Sequence, residues 1–378
     1  MKKKIIRVVT SGVSLKLISG QLKYLNEQYE VQGVASNDTN LSLVEQSEGI
    51  KIHPIKMVRP ISLINDLKSL YNLYRLFKKE KPFVVHSITP KAGLLSMMAA
   101  YLARVPHRMH TFTGLIFPTK EGVMKKILIT TDKILCACAT QIYPEGYGVK
   151  QDLENYNITS KPLKVLANGN INGLDLDYFS KEHFNEQKQQ LIRKELNITN
   201  NEFVFVFVGR LVKDKGINEL VSVFNKNFKI TDQATLLLVG DYEETLDPLL
   251  PETINNIKTN TKIIETGWVN DVRPYFSIAN ALVFPSYREG FPNVVMQAGA
   301  MGLPALVTDI NGSNEIIIEG ENGAIIPAKD EASLYVKMRE FYENKNKFQA
   351  SVCRELITTR YERQKVWEAV LNEYKSLS

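Results

Sequence analysis

An α/β architecture of two Rossmann-like domains facing a cleft is predicted for this chain from three observations. Short apolar runs alternate with longer amphipathic stretches from end to end, the pattern of a parallel sheet covered by helices. Runs such as Phe203–Val208 (Phe-Val-Phe-Val-Phe-Val) are continuously apolar, as strands buried on both faces are. The length, 378 residues, exceeds what one hydrophobic core usually holds.

Taken in order, Ile5–Thr10, Val31–Val34, Phe83–His86, Met109–Phe112 and Val165–Ala167 read as strands of the first domain. Between them Leu15–Gln28, Ser62–Lys79, Ala92–Ala103 and Val123–Cys136 have helical length and spacing. The turn-rich and polar stretch Asn168–Asn201 marks the break, so 1–178 is assigned to the first domain and 179–360 to the second. Strands at Phe203–Val208, Thr235–Val239, Ile263–Thr266, Ala281–Phe284 and Pro304–Thr308 follow. In such folds ligands bind beyond the carboxyl ends of the strands.

Composition narrows the class. Hydrophobic residues at 44% and charged residues at 23% exclude a disordered, collagenous or disulfide-stapled chain. The longest nearly apolar stretch, Ala92–Ala103, is too short for a membrane span, and the basic start Met1-Lys2-Lys3-Lys4 leads into no signal-peptide core, so the chain is expected to work in the cytoplasm. Cys136, Cys138 and Cys353 lack metal-site spacing and read as small buried hydrophobes. Net charge divides unevenly: residues 1–164 carry 24 Lys and Arg against 12 Asp and Glu, and 165–378 carry 23 against 29. The first half is therefore expected to meet something anionic, a membrane surface or a phosphate-bearing substrate. The cations are dispersed and no nucleic-acid motif accompanies them, so no nucleic-acid partner is expected.

Two segments carry the chemistry. In Tyr287-Arg288-Glu289-Gly290-Phe291-Pro292-Asn293 a buried strand ends and a helix begins, with Gly290 allowing close backbone approach and Asn293 placed to cap the helix. Its exposed N–H groups and helix dipole form an anion site, with Glu289 at the lip and Gln297 one to two turns into the helix. In Val208-Gly209-Arg210-Leu211-Val212-Lys213-Asp214-Lys215-Gly216, again a strand-to-helix turn, Arg210 and Lys215 supply two positive charges suited to a diphosphate. No Walker loop is present, which disfavours nucleoside-triphosphate hydrolysis.

With these motifs the chain resembles the family-4 retaining glycosyltransferases of the GT-B fold. Glu289 opens what is normally E-x7-E, and Gly209-Arg210 with Lys215-Gly216 matches the family's G-R-x4-K-G. The likeness spans nearly the whole chain, including Val85-His86-Ser87, Asn172-Gly173-Leu174-Asp175 and Asp309-Ile310-Asn311-Gly312-Ser313. Within the family it is most similar to bacterial transferases that build capsule or O-antigen units. The resemblance implies that residues 361–378 form a helix crossing back to the first domain. It implies that Arg210 and Lys215 neutralise the donor diphosphate, that Glu289 faces the transferred sugar, and that Gly209 and Gly290, Phe291, Pro292 and Asn293 bind donor phosphate or sugar. Gln297 stands where a ribose-binding acid is usual, and Trp268-Val269 line the base pocket. On the acceptor side the resemblance points to Ser11, Gly12, His86 and Thr113, where Thr113 replaces a His of many relatives and His110 is left undecided.

The implied reaction takes a sugar, an N-acetylated hexosamine or deoxyhexosamine, from a UDP-sugar to a polyprenyl-diphosphate-linked saccharide at the inner membrane face, with no cofactor and no metal. Asp175 and Asp177 spell D-x-D, but in the connector, and are read as structural. Glu289 has no identifiable partner for a glycosidase pair. Two alternatives remain open at this point, a UDP-sugar 2-epimerase of GT-B fold and a non-catalytic nucleotide-sugar-binding subunit.

Overall fold

A computed structural model describes the whole chain except residues 1, 39, 40, 59–61, 230, 244, 246 and 378. The chain divides into two compact units, Met1–Gly173 with Arg363–Ser378, and Leu174–Glu362. The expected boundary at 178 moves toward the N-terminus for a physical reason. Leu174 is buried in the second core and its N–H donates to the Tyr361 carbonyl at 2.8 Å. The return crossing falls after Glu362, because buried Tyr361 donates its hydroxyl to the Glu315 carbonyl of the second unit.

The first unit holds a parallel sheet of β1 (Lys4–Ser11), β2 (Glu30–Ser36), β3 (Lys51–Pro54), β4 (Val84–Ser87), β5 (His107–Phe112) and β6 (Gln141–Pro144), in the order β3-β2-β1-β4-β5-β6. The second holds β7 (Phe203–Val208), β8 (Ala234–Val239), β9 (Ile263–Glu265), β10 (Ala281–Phe284), β11 (Ala305–Thr308) and β12 (Gly323–Ile326). Its order, β12-β11-β10-β7-β8-β9, is the same arrangement counted from the other edge. All the pairings of both sheets are parallel. Strand order therefore reverses between β1 and β4 and between β7 and β10, where loops diverge to opposite faces and leave a crevice.

Helices cover both faces of each sheet. In the first unit Leu63–Glu80, Pro90–Leu102 and Gly122–Cys138 lie side by side on one face, and Leu73, Phe77, Ala99 and Leu135 join the core there. Gln21–Asn26 and Arg363–Ser376 cover the other through Leu22, Leu25, Val370 and Tyr374. In the second unit β7 is buried along nearly its whole length, and Phe205 and Phe207 are fully enclosed. Each such side chain contributes roughly 1.5–3 kcal/mol.

The differences from the sequence reading are at edges and breaks. Short edge strands β3, β6 and β12 are not among the predicted ones; their four residues give periodicity little to act on. Val165–Ala167 is no strand, forming only an isolated bridge from Ala167 to Gly169. The expected helix Leu15–Gln28 is broken: a four-residue helix, a 3-10 turn Lys16–Ile18 and then Gln21–Asn26. Gly20, at φ 80°, turns the chain where a continuous helix would pass.

Candidate active site

The loops after β7 and β10 are neighbours because these strands pair, and they are tied together directly. Tyr287 N–H donates to the Asp214 carbonyl at 2.8 Å, and Ser286 Oγ lies 3.3 Å from the same carbonyl. Lys215 ends a 3-10 turn, Lys213–Lys215, and its ammonium donates to Glu289 Oε1. The same oxygen accepts from Ser286 Oγ at 2.6 Å, and the Lys215 ammonium lies 5.2 Å from the centre of the Phe284 ring. Both partners are largely buried, so a flexible lysine is held by an aromatic face and by a carboxylate that a hydroxyl in turn orients. Arg210, by contrast, is 62% exposed and reaches Glu243 at 2.5 Å. One cation is enclosed at the crevice and the other is exposed at its rim.

The helix Asn293–Ala300 begins directly beyond this pair. Asn293 is its first helical residue and Pro292 occupies the cap position without a side-chain cap bond, so the expected capping by Asn293 is not what forms. Proline at the cap offers the first turn no side-chain oxygen, and Val295 N–H donates instead to the Pro292 carbonyl at 3.1 Å. Val295, Met296 and Ala298 face inward while Asn293, Val294 and Gln297 share the half-buried face, which places Gln297 one turn behind the helix mouth. The loop after β11 backs this turn. A Cβ at Gly312, φ 76°, would sit 2.4 Å from the Gly290 carbonyl oxygen and 2.7 Å from Phe291 Cα. Only glycine permits that approach.

Two further loops border the same edge. Trp268 is 66% exposed, and its backbone N–H donates to Asp241 Oδ1 at 2.9 Å. Gly240 bridges to Gly267, which brings the loops after β8 and β9 together and leaves Trp268 and half-buried Val269 at the carboxyl edge of the sheet. Gly209, at φ 149°, lies beneath Gly240 so closely that a Cβ on Gly240 would meet the Gly209 carbonyl at 1.9 Å. The second unit thus brings Gly209, Lys215, Trp268, Glu289 and the 290–293 turn to one edge, with Arg210 at its rim.

The candidate residues of the first unit divide. Ser11 ends β1, Gly12 follows it, and Thr113 follows β5, all at the carboxyl edge of the first sheet. At Gly12 the expectation is room for substrate. A Cβ there would lie 2.2 Å from Asp38 Oδ1, so the space belongs to the Asp38 carboxylate, which also accepts from Val13 N–H at 3.2 Å. His86 does not reach the edge. It is 1% exposed on β4, its Nδ1 2.7 Å from the Tyr374 hydroxyl and its Nε2 2.8 Å from Thr111 Oγ1. Arg7 donates to that same hydroxyl at 2.9 Å, so the phenol oxygen is shared between a guanidinium and the imidazole. Burial, with Arg7 nearby, holds the imidazole well below its ordinary pKa. His110 is equally enclosed. Its Nδ1 is 2.8 Å from Ser87 Oγ, its Nε2 has no hydrogen-bond partner among the described residues, and burial pushes its pKa down to about 3.

Comparison with known proteins decides what this edge belongs to. Residues 188–355 match the family profile "Glycosyl transferases group 1" and residues 9–145 match "Glycosyl transferase 4-like". The chain is 31% identical to the capsular polysaccharide biosynthesis glycosyltransferase CapM of Staphylococcus aureus, over 99% of this chain and 97% of that one. This chain belongs to the glycosyltransferases. It is also 29% identical to the UDP-Gal:alpha-D-GlcNAc-diphosphoundecaprenol alpha-1,3-galactosyltransferase of Escherichia coli, over 81% of this chain and 78% of the relative. The Anabaena protein Alr3699/HepE, solved with UDP and glucose, superposes with a TM-score of 0.81 at 16% identity over 100% of both chains. The fold of this glycosyltransferase is therefore GT-B.

Sequence reasoning misses several residues that shape the site. Ser286 fixes Glu289, Asp241 holds the Trp268 backbone, and Gly312 admits the 290–292 turn. A glycine directly after an apolar run is a usable signal, and Gly240 after Thr235–Val239 displays it. Nothing local in the sequence marks Ser286 as the partner of a residue three positions on.

Proposed function

We propose that this glycosyltransferase moves a sugar from a UDP-sugar to a lipid-diphosphate-linked saccharide with retention, in the synthesis of a capsule or related surface polysaccharide. The donor sugar in this reading is an N-acetylated hexosamine or deoxyhexosamine. One observation carries it: a lysine–glutamate pair fixed at the switch point of the second sheet, beside a helix N-terminus whose proline cap supplies no side-chain oxygen. The UDP-galactose and diphosphoundecaprenol in the name of the Escherichia coli relative support the choice of donor and acceptor classes.

Breaking the anomeric C–O bond leaves negative charge on the departing diphosphate. Lys215, Arg210 and the first-turn amides stabilise that charge more in the transition state than in the ground state. Glu289 orients Lys215 and faces the sugar, and Gln297 hydrogen-bonds the ribose. In a front-face route the leaving phosphate takes the acceptor proton as the new glycosidic bond forms, so no enzyme nucleophile is required and the cationic groups do the work without a metal. The reaction is placed at the inner face of the plasma membrane, where such an acceptor is exposed to cytoplasmic donors. Among the described residues no helix is long and apolar enough to cross a membrane.

The test is a panel of UDP-sugars incubated with short-chain prenyl-diphosphate saccharides, with product linkage read by nuclear magnetic resonance. An α-linked product from an α-linked donor, formed equally well with EDTA, supports the proposal. A new UDP-sugar appearing without acceptor indicates an epimerase instead, and binding with no turnover on any acceptor indicates a binding subunit.

A further inference from the structure

The three helices on one face of the first sheet end in an unusual surface. Leu63–Glu80 follows β3 and precedes β4, so its N-terminus lies at the carboxyl edge of the sheet and its C-terminus at the amino edge. Gly122–Cys138, between β5 and β6, runs the same way. Both pack against the helix Pro90–Leu102 that separates them. On the first helix Leu63, Ile64 and Leu67 are 77%, 71% and 65% exposed. On the second, Val123 is 74% exposed, and Met124 and Ile127 are exposed as well.

These side chains are not scattered. They occupy the first two turns of each helix, hence the same edge of the sheet, the one that carries Ser11, Gly12 and Thr113. A core-facing stripe already exists on the first helix, through Ser69, Leu73 and Phe77, so the exposed residues form a second apolar face. A soluble surface helix has no need of one. Tyr71 extends the stripe by another turn and has Arg75 alongside, 5.8 Å from its ring centre.

Charge surrounds the apolar tips. Lys68, Arg75, Lys120 and Lys126 are all exposed, while Asp66 is taken up by Lys91 at 2.8 Å and Glu121 is the exposed acid beside them. Lys125 is laid on Tyr156, 4.8 Å from the ring centre, and adds its charge to the base of the patch. Apolar tips ringed by exposed cations match the boundary between acyl chains and anionic headgroups, where side chains insert shallowly and lysines meet phosphates.

We propose that the N-terminal turns of Leu63–Glu80 and Gly122–Cys138 form an apolar wedge that inserts into an anionic bilayer. This rests on the reading of a lipid-linked acceptor and sharpens it. Contact is through inserted Leu63, Ile64, Leu67, Val123, Met124 and Ile127 rather than through charge alone, and it holds the carboxyl edge of the first sheet toward the headgroups from which the acceptor saccharide projects. The amino-edge lysines, Lys78, Lys79 and Lys81, add long-range attraction but do not insert.

Co-sedimentation of the full chain with phosphatidylcholine vesicles, with and without phosphatidylglycerol and always without any saccharide lipid, tests the wedge. The variants are Ile64→Glu with Leu67→Glu, Met124→Glu with Ile127→Glu, and Leu191→Glu as an exposed apolar control in the second unit. Each double variant is expected to bind phosphatidylglycerol vesicles at least about tenfold more weakly and the control to bind as the parent does. Parent binding is expected to persist in about 0.5 M salt, where exposed charge pairs are largely screened. All variants keep parent kcat/KM on a short soluble acceptor, which also shows that they fold. Loss of all binding in salt, or double variants that bind as the parent does, overturns the wedge. So does a parent that self-associates without vesicles and is made monomeric by the double variants. Vesicle binding without activity on any acceptor leaves the wedge standing and removes the proposed function; activity without vesicle binding does the reverse.

Discussion

The two units share one strand order, and in each the loops after the first and fourth strands meet where that order reverses, yet the two crevices are built from opposite materials. In the second unit the loops carry charge: Lys215 against Glu289, Arg210 against Glu243, and Arg288 3.8 Å from Asp214. In the first unit the end of β1 is joined to the loop after β4 by neutral hydroxyls, Thr10 Oγ1 to Thr89 Oγ1 at 2.6 Å, with Thr10 N–H also donating to Thr89 Oγ1. A buried polar chain of the first unit instead runs across its strands and onto the last helix, from Arg7 through Tyr374 and His86 to Thr111. One topology thus carries paired charges on its loops in one case and neutral hydroxyls in the other. The fold supplies the crevice and the loop residues supply the chemistry.

The largest effect separating the units should come from the fixed cation. Lys215→Ala is expected to lower kcat about 100- to 1,000-fold, the usual loss when one donor to a developing charge is removed. Arg210→Ala, at the exposed rim, should lose less. The chain has two tryptophans, Trp268 in the second unit and Trp367 in the first, so Trp268→Phe leaves a fluorescence reporter for the first unit alone. That reporter should be unmoved by Lys215→Ala; a shifted Trp367 signal would mean the lysine supports folding more widely.

Acid should separate the units next. His53, His86, His107 and His110, all in the first unit, have pKa values lowered chiefly by burial, whereas the second unit's histidine is exposed His183. A lowered histidine pKa means that the unfolded chain binds protons first as pH falls. The stability these neutral rings provide is complete above about pH 6.5 and is lost as pH drops toward the folded values. For His110, at about 3, the loss between pH 6.5 and 5 is roughly 2 kcal/mol. Urea midpoints followed by Trp367 should therefore fall over this range, and those of His110→Asn should fall less steeply.

The smallest effects concern single hydrogen bonds. Gln297→Ala should weaken UDP binding by about two- to tenfold, as for one neutral bond. Thr89→Ala should lower the first unit's stability by about 1 kcal/mol in the same urea assay and leave UDP affinity unchanged. Equal effects of both variants on UDP binding would undo the contrast between charged and neutral crevices.

Much of this contrast is legible in the amino-acid sequence. Continuous apolar runs such as Phe203–Val208 announce buried parallel strands, and turn residues with spaced Arg and Lys announce the charged loop after β7. What is not legible depends on partners distant in sequence. The enclosure of His86 comes from Tyr374, 288 positions away, and nothing near His86 distinguishes a network residue from a ligand. The Asp38 carboxylate that fills the space at Gly12 lies on another loop. The wedge is hidden because an apolar residue at helical spacing reads as core, and only the packing shows that Leu73 and Phe77 already fill that role. The helix after Glu289 is evident from its residues but its cap is not, since Pro292 and Asn293 both suit the first turn and one residue decides.

The most direct test of the central claim compares UDP with uridine by isothermal titration calorimetry, in the parent chain and in Lys215→Ala. The account predicts that the parent binds UDP far more tightly than uridine, and that the variant loses at least about tenfold in UDP affinity while uridine binding is unchanged. Equal affinities for UDP and uridine in the parent, or UDP affinity untouched by the variant, would show that the diphosphate is held somewhere else.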